Sequence, residues 1–177
     1  MARGKIGNAI ENLERQLQAQ AEPGPRDDIP VTASIESGLR CRIESPDGYS
    51  IATDMPETVG GSATAGSPGW HLRAALASCD ATLLAMRAAR TGIELDRIEV
   101  RVETSSDGRG MFLDEGINPG SSEIRLLFRI AASKASREQV EALVRWVEQH
   151  SPVGNDITRA VAVSSEIELL GAGAASR

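Results

Sequence analysis

The sequence predicts one α+β domain, and three observations carry that prediction. Short segments alternate apolar and polar residues, two longer stretches repeat apolar residues at helical spacing, and the strands come in runs instead of alternating with helices. A length of 177 residues suits a single core, and 41% hydrophobic residues with 17 glycines supply the apolar material for it.

Ile6, Ile10, Leu13 and Leu17 recur at spacings of three and four, so Lys5 to Gln20 reads as an amphipathic helix. Three prolines between Glu22 and Pro30 break it, which makes residues 1–30 an arm and linker ahead of a main domain at 31–170. Val31 to Ile43 alternates on either side of Ser37-Gly38 as a hairpin, and Tyr49 to Thr53 reads as a third strand. A long helix is expected from the cap Ser67, with Pro68 first, to Thr91, and Gly92 ends it.

Arg97 to Glu103 and Glu123 to Ala131 alternate as strands, separated by a long loop carrying Met111-Phe112-Leu113. Ser136 opens a second core helix to Gln149, with Val140, Leu143, Val144 and Val147 on one face. Ser151-Pro152 restarts the chain as a short helical turn, Ala160 to Leu169 reads as a closing strand, and residues 171–177 are expected to form a mobile tail.

Composition excludes several functions. A net charge of −6 and only five aromatic residues argue against a nucleic-acid partner. No run approaches the ~20 apolar residues of a membrane span, and the first twenty residues lack the apolar stretch of an export signal, so the expected compartment is the cytoplasm. Cys41 and Cys79 form no CxxC pair, and His71 and His150 belong to no HExxH pattern, so no metal is expected. The glycine-rich Gly60 to Gly66 lacks both the P-loop lysine and the GxGxxG order and reads as a tight connection. His150 and Ser151 are adjacent at a helix break, which rules out a nucleophile and base pair completed by Asp156.

Cys79 is the residue with the most chemistry to offer. On a helical wheel Leu72, Ala75, Leu76, Leu83 and Met86 lie within about 60° of it, which places the thiol in an apolar stripe where a core role is the default.

The segment order adds to this reading. A hairpin with Thr32-Ala33 and Asp47-Gly48, then Pro56-x-x-x-Gly60-Gly61, then Ser67-Pro68 opening a helix with Ala77-Ser78-Cys79, then Arg90-Thr91-Gly92-Ile93, and finally His150-Ser151-Pro152-Val153 resembles the OsmC/Ohr family over roughly Val31 to Leu169. The resemblance implies an intertwined homodimer with antiparallel sheets around long central helices and thiol sites where subunits meet. It also implies reduction of organic hydroperoxides in oxidative-stress defence by an external thiol or dithiol, without a cofactor.

A peroxidatic thiol must ionise, and an ordinary thiol with a pKa of about 8.5 mostly does not at neutral pH, so a cation is needed nearby. The resemblance implies an arginine from the first hairpin, oriented by a glutamate after the helix-opening proline. Here Gly69 holds the glutamate position and Leu39 the arginine position, leaving Arg40 and Arg42 as candidates on the opposite strand face from Leu39, Cys41 and Ile43.

The family's second thiol is replaced by Ser151, which can only cap the turn that Pro152 begins, and Cys41 is a conceivable substitute. Two readings stay open: a hydroperoxide reductase using Cys79, and a non-catalytic dimer that binds a small apolar ligand. A third makes the dimer a scaffold whose interaction element is the helix at Lys5 to Gln20. The closely spaced Ala74, Ala75, Ala77, Ala81 and Ala85 suit helix-to-helix contact between subunits.

Overall fold

Local capping chemistry fixes the longest element. In the computed structural model, which describes residues 4–20, 24–113 and 116–170, the Ser67 hydroxyl accepts the Trp70 N–H, Pro68 occupies the first helical turn, and Gly92 closes the helix at φ 72°. The chain runs as α1 (Lys5–Gln18), β1 (Thr32–Ser37), β2 (Arg40–Glu44), β3 (Ser50–Thr53), α2 (Pro68–Thr91), β4 (Arg97–Ser106), α3 (Arg109–Phe112), β5 (Ser121–Ala131), α4 (Arg137–His150) and α5 (Pro152–Thr158). The strands form two antiparallel sheets, β1-β2-β3 and β4-β5. The α+β prediction therefore holds, with helix ends close to those expected from the caps.

Two helical ridges make the core. Along α2 every fourth residue is buried, at Leu76, Asp80, Leu84 and Ala88. Along α4 the same step gives Leu143 and Val147, and the next position is the buried Ser151. Leu84, Ala88, Leu143 and Val147 form one cluster, and Ile98 of β4 with Phe128 and Ile130 of β5 close over it. β5 alternates as its sequence predicts, with Ile124, Leu126, Phe128 and Ile130 turned inward. On the outer face Glu99 and Glu103 each bridge two arginines, one from each strand of the sheet.

The loop between β3 and α2 is organised around one carboxylate. Asp54 is buried and accepts the Met55 N–H at 2.8 Å, the Thr64 N–H at 3.0 Å, the Thr64 hydroxyl at 2.7 Å and the Ser62 N–H at 3.4 Å. Gly61 is needed here, because a Cβ would sit 1.9 Å from the Met55 carbonyl oxygen. The glycine-rich segment is thus a tight connection, and it delivers the chain to the Ser67 cap.

Two expectations are corrected. Residues 160–169 form no strand: Val163, Ile167 and Leu169 are about nine-tenths exposed, because alternation alone makes no strand without a neighbouring edge to bond to. The stripe assigned to Cys79 is only partly buried: Leu76 is buried and Leu83 packs against the core, whereas Leu72, Ala75 and Met86 are exposed in the single chain. The first strand of the second sheet also runs further than expected, to Ser106. Met111 and Phe112, in the single turn of α3, and Leu113 after it are exposed. The expected mobile tail, residues 171–177, lies outside the described residues.

Two outcomes follow from this packing. Leu84→Ala should cost about 2–5 kcal/mol in urea denaturation, because Leu84 is fully buried at the centre of the cluster. The four hydrogen bonds that Asp54 accepts, led by those from Thr64, hold its carboxyl at about 2, below the ordinary 3.8. Its contribution to stability is present above the ordinary carboxylate range and is lost as pH falls towards 2. Asp54→Asn should therefore lower Tm most at neutral pH, and the gap from wild type should shrink progressively on acidification.

Candidate functional site

The two ridges that make the core also bring the site together. Cys79 follows Ser78 on the α2 turn that bears Asp80, and Ser151 sits where α4 ends and α5 begins. Although 72 positions separate them, the Cys79 Sγ lies 3.6 Å from the Ser151 Oγ. The thiol is half-buried and free, whereas the hydroxyl is only 2% exposed. Ser151 also accepts the Gly154 N–H at 3.0 Å and so caps α5, the role its place before Pro152 predicts.

Asp80 completes the cluster from the buried side. It is 1% exposed, and its Oδ1 has no hydrogen-bond partner among the described residues. Burial pushes its carboxyl above the ordinary range, and the Ser151 side chain only partly offsets this. Thiol and hydroxyl are thus in contact, with the buried carboxyl of Asp80 on the residue next to the thiol. A hydroxyl can donate and accept at once, so it can connect the other two.

The other candidates lie on the first sheet. A bulge in β1 leaves Glu36 unpaired between Ile35, which pairs with Cys41, and Ser37, which pairs with Arg40. Glu36 accepts the Nε–H of Arg40 at 3.2 Å and that of Arg42 at 2.6 Å. Arg40 also donates to the Thr64 hydroxyl at 2.7 Å, which ties it to the Asp54 loop, and Arg42 reaches Glu44 at 3.4 Å. Among the described residues the hydrogen-bonding partners of the two guanidinium groups are Glu36, Glu44 and Thr64. Cys41 is a free thiol whose Sγ donates to the Arg42 carbonyl at 3.6 Å. A side chain at Gly69 would have open space on the exposed first turn of α2, with Arg73 3.8 Å away.

Both histidines have structural partners. His71 bonds the Ala52 carbonyl through Nε2 at 3.1 Å, and His150 bonds the Trp146 carbonyl through Nδ1 at 2.8 Å while stacking on the indole. Among the described residues no three His, Cys, Asp or Glu side chains gather as metal ligands, and no helix is long and apolar enough to cross a membrane. An open groove of about 750 Å³ between β5 and α4, floored by Phe128, Ile130, Val140 and Val144, is lined by none of the Cys79 cluster. Sequence reasoning named Cys79 and Ser151 but missed Asp80, whose signal was a carboxylate midway between Leu76 and Leu84 at four-residue steps.

Comparison with known proteins agrees with this arrangement at the level of fold. An OsmC-like protein from Mycoplasma pneumoniae matches with a TM-score of 0.64 at 19% identity, over 76% of this chain and 89% of that one. A Legionella pneumophila structure described as an organic hydroperoxide resistance protein OsmC matches with a TM-score of 0.56 at 20% identity, over 76% and 91%. The organic hydroperoxide resistance protein OhrB of Bacillus subtilis matches with a TM-score of 0.50 at 25% identity, over 76% and 92%. Among curated protein sequences none matches. The family described as OsmC-like protein matches residues 60–166, a span that holds α2, Cys79, Asp80 and Ser151, and the chain belongs to that family.

Proposed function

We propose that the protein reduces apolar organic hydroperoxides with Cys79 as the reacting thiol. The observation that carries this reading is the half-buried free thiol of Cys79, 3.6 Å from the residue at position 151, in a chain of the OsmC-like family. The Cys79 thiolate attacks the terminal oxygen of the hydroperoxide, the S–O bond forms and the O–O bond breaks. The products are a sulfenic acid and an alkoxide, which takes up a proton to become the alcohol. Ser151 has no sulfur to close a disulfide, so two equivalents of an external thiol, or one dithiol, return Cys79 to the thiol with loss of water. The alternative to an external thiol within the chain is Cys41, a free thiol on β2.

The working unit is a homodimer in the cytoplasm. Leu72, Ala75 and Met86 on α2 and Ile35, Leu39 and Ile51 on the first sheet are exposed, apolar surface that a second copy would cover. In that assembly Arg40 or Arg42 of the neighbouring subunit supplies the cation that stabilises the thiolate.

A second reading keeps the dimer and its apolar cleft as a binding site without turnover. Gly69 and Ser151 favour it, since both replace groups that the family resemblance assigns to the chemistry.

Consumption of cumene hydroperoxide with a dithiol present separates the two readings. Cys79→Ser should fall to the uncatalysed rate, and equal rates for wild type and variant would reject the enzyme. Ser151→Cys should form a disulfide between position 151 and Cys79 after one equivalent of hydroperoxide, read by non-reducing peptide mapping. Light scattering at micromolar concentration should give twice the chain mass.

A further inference from the structure

We propose that Asp80 is the proton acceptor for Cys79 and that the Ser151 hydroxyl carries the proton between them. This rests on the reading of Cys79 as the reacting thiol. The inference starts from geometry: Cys79 Sγ lies 3.6 Å from Ser151 Oγ, and Asp80, the next residue of α2, is buried with an unpartnered Oδ1. An ionised carboxylate with an unmet oxygen in such a place is costly, and a proton relieves that cost. Burial correspondingly holds the Asp80 carboxyl above its ordinary range.

The charged groups on the surrounding elements are engaged elsewhere. Arg73, seven residues before Asp80 on the same stripe, donates to Thr104 of β4, and Arg87, seven residues after it, lies over the Trp146 ring of α4. Arg90 pairs with Glu11 and Glu14 of α1, and Glu99 and Glu103 of β4 bridge arginines on the outer face. On α4, Glu141 pairs with Arg137 and Arg145, and His150 stacks on Trp146. Glu148 of α4 and Asp156 of α5 are exposed.

The transfer conserves atoms and charge. The Cys79 S–H proton moves to Ser151 Oγ while the Ser151 proton moves to Asp80, so one S–H and one O–H bond break and two O–H bonds form. The single negative charge passes from the carboxylate to the sulfur. After the O–O bond of the hydroperoxide breaks, the Asp80 proton returns through Ser151 to the alkoxide, which restores the starting state of the carboxylate.

The test measures alkylation of Cys79 by iodoacetamide in a Cys41→Ser background, from about pH 5 to pH 10, with no peroxide present. A thiol and carboxyl that share one charge ionise the sulfur to a fixed fraction, so the wild-type rate should hold a plateau through neutral pH and rise again only in alkali. Asp80→Asn should lose the plateau and rise about tenfold per pH unit, and it should be at least about tenfold slower than wild type at pH 6. Ser151→Ala should lose the plateau although Asp80 remains, and Ser151→Thr should keep it.

Absence of a plateau in the wild-type background overturns the relay whatever the variants do. So does an Asp80→Asn rate equal to or faster than wild type at neutral pH, because Asp80 would then act only as a repelling anion. A plateau without hydroperoxide turnover removes the peroxidase and leaves the relay, whereas turnover without a plateau removes the relay alone.

Discussion

The architecture depends on two facing rows of residues set four apart, Leu76, Asp80, Leu84 and Ala88 on α2 against Leu143, Val147 and Ser151 on α4 and its exit. At one end the rows meet through hydrocarbon, and the hydrophobic effect holds them. At the other end they meet through a carboxyl and a hydroxyl. Apolar packing fixes the spacing of the helices, and that spacing places Ser151 against Asp80 and Cys79. The same contact that builds the core therefore aligns the polar row, and no separate device is needed to position it.

Around this centre the surface is divided in its demands. The second sheet closes over the helices and spends its charges in cross-strand pairs, a solved problem within one subunit. The first sheet and the outer stripe of α2 leave aliphatic side chains in water. The bulge at Glu36 gathers two guanidinium groups at one place on that sheet, and the Asp54 loop ties one of them to the start of α2 through Thr64. These groups are thereby held with little rotamer freedom left to lose.

Much of this was legible in the sequence, and the legible part was local. Ser67, Pro68 and Gly92 gave the limits of α2, Ser136 that of α4, and Ser151 with Pro152 that of α5, because caps act within a turn. Period-two alternation located β1, β2 and β5. The same alternation misled at 160–169, where pairing depends on an edge that sequence periodicity does not specify. The wheel around Cys79 placed Leu76 and Leu83 at the core but also took in the exposed Leu72, Ala75 and Met86: α2 carries small apolar residues on several faces, and only the position of the opposing helix decides which face is covered. Asp54 and Glu36 drew no notice, since their partners are backbone amides and bulged registers that no local pattern announces.

The cap at Ser151 sets a trade between two properties of that one position. Serine is among the best side chains for starting a helix, and a thiol is a poor acceptor for the same amide. A chain with oxygen at this point gains a firm beginning for α5 and forgoes an internal store for oxidising equivalents. On the proposed chemistry, every turnover then ends with an encounter in solution. On that chemistry the speed of recycling would follow the abundance of small thiols around the protein.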